Sequence, residues 1–76
     1  PKPPQDAKTQ LQEALQGQGK PLPVYEMVGR EGPAHAPVFT IELTTSDGHC
    51  VRAEGKSKRE AEQIAAKRML DELNHE

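Results

Sequence analysis

The hydrophobic period changes along the chain, and this change limits the possible folds more strongly than any other property of the sequence. Apolar residues recur at helical spacing near both ends, whereas the middle of the chain alternates apolar and polar residues as β-strands do. Short stretches containing Gly and Pro separate these segments, and no internal repeat is present. The pattern predicts an α+β fold with the order α-β-β-β-α, in which a three-stranded antiparallel sheet carries both helices on one face.

Both helices have recognisable boundaries and an apolar stripe. The first is expected to begin after Asp6, which can cap it, and to end at Gly17 and Gly19. Its apolar stripe consists of Ala7, Leu11, Ala14 and Leu15. The second helix has the clearest start in the chain, because Ser57 and Glu60 have the spacing of a capping box. Its apolar stripe consists of Ala61, Ala65, Met69 and Leu73.

The middle of the chain is expected to form the sheet. Three strands are predicted, at residues 24–28, 38–43 and 49–54. The second alternates most cleanly, with Phe39, Ile41 and Leu43 on its inner face. Ser-Asp-Gly at 46–48 supplies the turn into the third strand. Residues 29–37, which include Gly-Pro and Ala-Pro pairs, are predicted to form a loop.

Length and composition exclude several classes of protein. With 76 residues, 33% of them hydrophobic, and no Trp, the chain can build one small core, so an enzyme complete within it is not expected. No apolar run approaches the ~20 residues that cross a bilayer, and the lone Cys50 cannot close an intrachain disulfide. A zinc site is not expected either, because His35, His49 and His75 are scattered and no CxxC or HExxH pattern is present.

The distribution of charge is more informative than its total. A net charge of −2, taken over the whole chain, argues against nucleic-acid binding. However, Lys56, Lys58 and Arg59 cluster at the start of the second helix, while Asp71 and Glu72 lie near its end. Cations at a helix N-terminus oppose the helix dipole, so this placement indicates a function. The same helix end offers backbone N–H groups, so the expected ligand is an anion such as phosphate.

Three signatures occur in order along the chain. They are Thr-Gln-Leu-Gln-Glu at 9–13, Gly-Pro-Ala-His-Ala-Pro-Val-Phe at 32–39, and Gly-Lys-Ser-Lys-Arg-Glu-Ala at 55–61. At this order and spacing the chain resembles a double-stranded RNA-binding domain (dsRBD). It is most similar to the C-terminal dsRBD of bacterial ribonuclease III, on the basis of Ala-Glu-Gln at 61–63 and Leu-Pro-x-Tyr at 22–25. The resemblance covers residues 6–74. Residues 1–5, rich in proline, are predicted to be a linker, and residues 75–76 a tail.

The resemblance implies sequence-tolerant binding of A-form double-stranded RNA through three groups of residues. One minor groove would be contacted by Thr9, Gln12 and Glu13. The next minor groove would be contacted by His35 and the backbone around Gly32 and Pro33. The major-groove phosphates between them would be bridged by Lys56, Ser57, Lys58 and Arg59. These residue types suit the task, because Gln and Glu accept hydrogen bonds from 2′-hydroxyls and cations attract phosphates.

The resemblance also implies a larger parent protein, and the chain departs from the family pattern at one position. The domain would present RNA to an attached endoribonuclease domain of the ribonuclease III type, absent from these residues. That parent is expected to be a magnesium-dependent, homodimeric, cytoplasmic hydrolase of RNA processing, including ribosomal RNA. The 76 residues themselves are expected to be monomeric, to bind no membrane and to need no cofactor. The departure is Glu62, which stands at the last position of the family's commonest Lys-Lys-x-Ala-Lys pattern and cannot contact phosphate.

A second hypothesis belongs to another functional class. A domain of the same fold could serve protein–protein contact, with weak RNA binding. Glu62 and the acidic total favour this hypothesis, whereas the intact residues of all three signatures oppose it. A complete small hydrolase has almost no support, because Glu60, Glu62, Asp71 and Glu72 share one helix without a partnering segment.

Overall fold

The fold consists of five elements in the predicted order. The computed structural model describes residues 6–74, so the predicted linker, tail and His75 lie outside the described residues. The elements are α1 (Ala7–Gly17), β1 (Val24–Glu31), β2 (Val38–Thr44), β3 (Cys50–Gly55) and α2 (Lys58–Asn74). The strands form one antiparallel sheet in the order β1-β2-β3. The predicted α+β class and α-β-β-β-α order are therefore confirmed.

The core lies between the inner face of the sheet and the two helices. α2 packs on β2 and β3, and α1 packs chiefly against α2. The buried apolar side chains are Leu11, Leu15, Ile41, Leu43, Ala53, Ala61, Ala65, Ala66 and Met69. Four of them are alanines, and Gly55 ends β3 directly beneath α2, which lets the helix approach the sheet closely. The small core therefore combines five large aliphatic side chains with a close approach of α2 to the sheet.

The helix starts follow the predicted caps, with one difference. The side chain of Asp6 accepts hydrogen bonds from the backbone N–H groups of Lys8 and Thr9, as an N-cap does. At α2, the Ser57 hydroxyl accepts from the N–H of Glu60 at 3.0 Å. The Glu60 carboxylate accepts from the N–H of Lys56 at 3.2 Å, one residue earlier than the capping-box pattern requires.

The first strand is longer than its sequence pattern predicts. A loop was expected from residue 29, but Gly29, Arg30 and Glu31 pair with β2 and belong to β1. The pairing shifts register between Met27 and Gly29, as at a β-bulge, which accommodates one extra residue and lets the strand continue. The prediction of a loop over residues 29–37 is therefore wrong at its start, and the loop comprises residues 32–37. The third strand also begins and ends one residue later than predicted.

Tyr25 on β1 buries its hydroxyl without a hydrogen-bond partner among residues 6–74. Burial, and then the negative charges of Glu62 and Asp6, raises the pKa of Tyr25 to about 12. The unfolded chain ionises at the ordinary value of 10.0, before the folded chain does. The folded state therefore loses stability as the pH rises from about 10 towards about 12.

We expect Tyr25→Phe to raise the free energy of unfolding by about 1 kcal/mol at neutral pH, because it removes an unpaired buried hydroxyl. It should also reduce the loss of stability at about pH 11, since phenylalanine does not ionise. Urea denaturation at both pH values measures the two effects. Tyr25 is the only tyrosine, so ultraviolet titration of the folded protein reports its pKa directly. A less stable Tyr25→Phe variant, or a pKa near 10, would contradict this account.

Candidate nucleic-acid interface

Residues 56–59, here called the basic segment, comprise the two residues between β3 and α2 and the first two residues of α2. The residues Lys56, Ser57, Lys58 and Arg59 are all exposed. Ser57 is the N-cap of α2, and Lys58 and Arg59 occupy its first turn. The N-terminal turn of a helix directs backbone N–H groups outward and carries the positive end of the dipole, so cations and dipole together favour an anion here.

Residues 32–37, here called the Gly-Pro loop, form a compact turn between β1 and β2. The N–H of Ala36 donates a hydrogen bond to the carbonyl of Pro33 at 2.9 Å. Gly32 has a φ of 90°, and a Cβ at this position would lie 2.7 Å from the Ala36 carbonyl oxygen. The turn therefore requires glycine at its start. His35 lies in this turn and is exposed.

The sheet register brings the Gly-Pro loop and the basic segment to the same end of the sheet. Val38, the first residue of β2, directly follows the loop. The next residue, Phe39, pairs with Gly55, which directly precedes the basic segment. The turn between β2 and β3, which contains His49 at its end, lies at the opposite end of the sheet. Of the two described histidines, His35 is thus the one near the basic segment.

The α1 patch, consisting of Thr9, Gln12 and Glu13, is exposed on the first helix. Thr9 and Gln12 line one groove together with Arg59 of the basic segment. Glu13 follows Gln12 along the same helix. The basic segment therefore adjoins the α1 patch through Arg59 and shares a sheet end with the Gly-Pro loop. The structure places all ten predicted residues at the surface, and their contacts with RNA stay predictions.

Two residues of α2 that the site prediction omitted join the two helices. Glu62 faces α1, where its Oε1 atom lies 2.7 Å from the Nζ of Lys8. Gln63 hydrogen-bonds to the start of α1, and this bond chiefly lowers the pKa of Asp6. Both residues directly follow Ala61 of the apolar stripe, which places them near the packed face of α2. The sequence does not show which residues of α1 they contact.

A separate polar cluster lies at the end of the sheet opposite the basic segment. Asp47 accepts hydrogen bonds from Lys20 Nζ at 2.7 Å and from the hydroxyl of Thr45, and it lies 3.0 Å from Nδ1 of His49. The bond from Lys20 first, and then that from Thr45, holds the pKa of Asp47 well below its ordinary value. This cluster joins the α1–β1 connection to the β2–β3 turn, and His49 is part of it.

The described residues show neither a cluster of metal-binding side chains nor a membrane-spanning helix. Among residues 6–74, no three His, Cys, Asp or Glu side chains cluster as metal ligands would. Within the same range, no helix has the length and apolar character needed to cross a membrane. The expectation of magnesium concerns a nuclease domain outside these residues and stays a prediction.

Comparisons with known proteins agree with this fold. Residues 7–73 match the family model described as "Double-stranded RNA binding motif". The structure is similar to that of the first dsRBD of protein HYL1, with a TM-score of 0.73, 38% identity, and coverage of 90% of this chain and 96% of that one. It is also similar to a structure of both dsRBDs of DRB4 with their linker, with a TM-score of 0.71, 34% identity, and coverage of 91% of this chain and 44% of that one.

Curated relatives of similar sequence are ribonucleases. Ribonuclease 3 of Caulobacter vibrioides is 53% identical over 68 residues, which cover 90% of this chain and 29% of the relative. Ribonuclease 3 of Phenylobacterium zucineum is 54% identical over 65 residues, which cover 86% of this chain and 27% of the relative. The chain thus spans about three-tenths of the length of these relatives. On fold, family match and relatives together, the chain belongs to the double-stranded RNA binding motif family and is a double-stranded RNA-binding domain related to those of ribonuclease III.

Proposed function

We propose that the domain binds A-form RNA across two successive minor grooves and the intervening major-groove phosphates, without reading base sequence. The observation that carries this proposal is the placement of the basic segment, which adjoins the α1 patch and shares a sheet end with the Gly-Pro loop. A cationic surface with a polar patch on each side suits a ligand whose phosphates and hydroxyls alternate along its axis.

The proposed contacts follow from the chemistry of each surface. The minor groove of A-form RNA is wide and displays 2′-hydroxyls, which donate hydrogen bonds to the side chains of Gln12 and Glu13. Glu13 also repels phosphate, so it favours a hydroxyl donor over a backbone anion. His35 accepts or donates a hydrogen bond in its neutral form, which suits the second minor groove. DNA lacks both the hydroxyl and the A-form width, so RNA is preferred.

The basic segment would contact the phosphates that line the major groove between the two minor grooves. Lys58 and Arg59 supply mobile charges, while the N-terminal turn of α2 supplies oriented backbone N–H groups. Such contacts add affinity without sequence information. Binding should therefore weaken steeply with added salt and vary little with base sequence.

The wider role of the domain is also a proposal. The relatives named Ribonuclease 3 extend well beyond the region that this chain matches. The domain would present duplex RNA to an attached ribonuclease III-type nuclease that supplies the catalytic residues and magnesium. We place this parent in the cytoplasm as a homodimer acting in RNA processing, including that of ribosomal RNA. A role in protein–protein contact drew support from Glu62, and the pairing of Glu62 with Lys8 weakens that support.

The test is a pair of titrations with an RNA duplex of about 16 base pairs, the length that such domains span, and a DNA duplex of the same sequence. We expect tighter binding of RNA, and equal affinity for a second RNA duplex of scrambled sequence. Chemical-shift mapping should show changes in the α1 patch, the Gly-Pro loop and the basic segment. Equal affinity for RNA and DNA, or one of the three surfaces left unperturbed by RNA, would overturn the proposal.

We expect His35→Ala to narrow the preference for RNA over DNA by about fivefold, which corresponds to the loss of one hydrogen bond worth about 1 kcal/mol. The matched control is His49→Ala, because His49 lies at the opposite end of the sheet beside Asp47. The control should leave the ratio of RNA to DNA affinity unchanged in the folded protein. If His35→Ala and His49→Ala give the same ratio, His35 does not contact the RNA.

A further inference from the structure

The N-terminal parts of α1 and α2 are joined by contacts that the proposed RNA interface does not use. The Oε1 atom of Gln63 accepts hydrogen bonds from the backbone N–H groups of Ala7 and Lys8, at 2.9 and 3.4 Å. Its Nε2 atom donates to Asp6 at 2.5 Å. Gln63 therefore completes the cap of α1 from another helix. Together with the Glu62–Lys8 ion pair, these bonds form what we call the α1–α2 contact.

The α1–α2 contact is placed to control where α1 sits. α1 packs chiefly against α2, so its position in the fold depends mainly on its contacts with that helix. The Glu62 side chain is 14% exposed and the Lys8 side chain 36%, so solvent screens this ion pair only in part. The Nζ of Lys8 also lies 4.8 Å from the centre of the Tyr25 ring, which links the same end of α1 to β1.

The same groove contains the α1–α2 contact and two kinds of residue that are proposed to contact RNA. Thr9 and Gln12 line it from α1, Arg59 lines it from α2, and Glu62 and Gln63 line it as well. The first two would contact hydroxyls and Arg59 would contact a phosphate, so their spacing must match that of the two groups on A-form RNA. A displacement of α1 relative to α2 changes this spacing.

We propose that Glu62 and Gln63 are positioning residues, which hold α1 against α2 at the spacing that suits A-form RNA and so contribute to the preference for RNA over DNA. This inference rests on the proposed function. On the family pattern alone, Glu62 only removes a phosphate contact and repels phosphate. In the proposed role it supports RNA binding, because its ion pair with Lys8 holds α1 in place.

The variant Glu62→Lys separates positioning from simple electrostatics. Simple electrostatics predicts tighter binding, because the substitution replaces a negative charge with a positive one close to the phosphate contacts. Positioning predicts weaker binding of RNA by about tenfold, because the new ammonium group would face Lys8 and the α1–α2 contact would be lost. The ratio of RNA to DNA affinity should fall as well, since phosphate contacts survive while the hydroxyl contacts are displaced.

Two further variants control for charge. Combining Lys8→Glu with Glu62→Lys restores an opposite pair at unchanged net charge, and it should recover most of the RNA affinity and the RNA-to-DNA ratio. Glu42→Lys makes the same change of charge on the outer face of the sheet, where Glu42 lies 2.9 Å from Arg52. This control should not weaken RNA binding. Each affinity is measured well below the melting temperature of the variant, so that loss of folding does not mimic loss of binding.

The outcomes are distinct. Failure of the unmodified chain to prefer RNA over DNA would overturn the proposed function and the positioning role together. If the unmodified chain prefers RNA and Glu62→Lys binds RNA as tightly as Glu42→Lys does, the positioning role alone is wrong. Should Glu62→Lys not fold, Gln63→Ala tests the same contact without a change of charge. An unchanged RNA-to-DNA ratio in folded Gln63→Ala would then overturn the positioning role.

Discussion

Replacing Lys58 and Arg59 together by alanine should weaken binding of an RNA duplex of about 16 base pairs by about 30-fold. Both residues lie in the exposed first turn of α2, where side-chain charge and helix dipole favour phosphate together. Each lost contact is expected to cost about 1 kcal/mol. The loss should be similar for all RNA sequences, because phosphate contacts carry no base information.

The salt dependence of binding distinguishes lost phosphate contacts from a general change of charge. The slope of log affinity against log salt should fall by about 2 in the double variant, because two phosphate contacts are lost. Lys20→Ala combined with Arg52→Ala is the matched control. It removes the same charge from residues paired with Asp47 and Glu42, away from the basic segment. A slope that falls equally in both double variants would show that net charge, rather than the basic segment, governs binding.

Gly55→Ala should lower the free energy of unfolding by about 2 kcal/mol or more, the cost of forcing extra volume into a packed interior. A Cβ at this position would lie 2.5 Å from the backbone nitrogen of Ala61 and 2.9 Å from its Cα. Those atoms belong to α2, so the helix must move away from the sheet to make room. For a domain of this size, the melting temperature should fall by about 8–16 °C.

Gly17→Ala is the matched control for this loss. Gly17 belongs to α1, and none of the described atoms would lie within 4 Å of its added Cβ beyond its own helix and neighbours. Alanine has a higher helix propensity than glycine, so the control should be as stable as the unmodified chain or more stable by up to about 1 kcal/mol. Thermal denaturation of both variants measures the contrast. Equal stability of the two would contradict the close approach of β3 and α2 at Gly55.

Much of the fold was predictable because its signals are local. The cap at Asp6, the hydroxyl of Ser57 and the alternation in β2 each act over a few neighbouring residues. The end of β1 was not predictable in the same way. Residues 29–31 resemble the loop that follows them, and they become strand only because β2 pairs with them after the bulge. Strand ends depend on the partner strand, which the local pattern does not contain.

The candidate site was also predictable only in part from the sequence. The three signatures identified ten candidate residues, and the structure placed the basic segment next to the α1 patch and at the same end of the sheet as the Gly-Pro loop. The sequence pattern reduced Glu62 to a missing phosphate contact. Its pairing with Lys8, 54 positions earlier in the chain, emerged only when the two helices were packed. Likewise, the partners of Gln63 belong to a helix at the other end of the chain.

The order of the elements, the caps, the apolar stripes and the family signatures could all be predicted, because each depends on residues that are close to one another in the chain. Three features became clear only from the packed fold: the extent of β1, the closeness of α2 to β3 at Gly55 and the contact between α1 and α2. These features arise from side chains and backbone atoms that are distant in the chain and meet only after the core has formed.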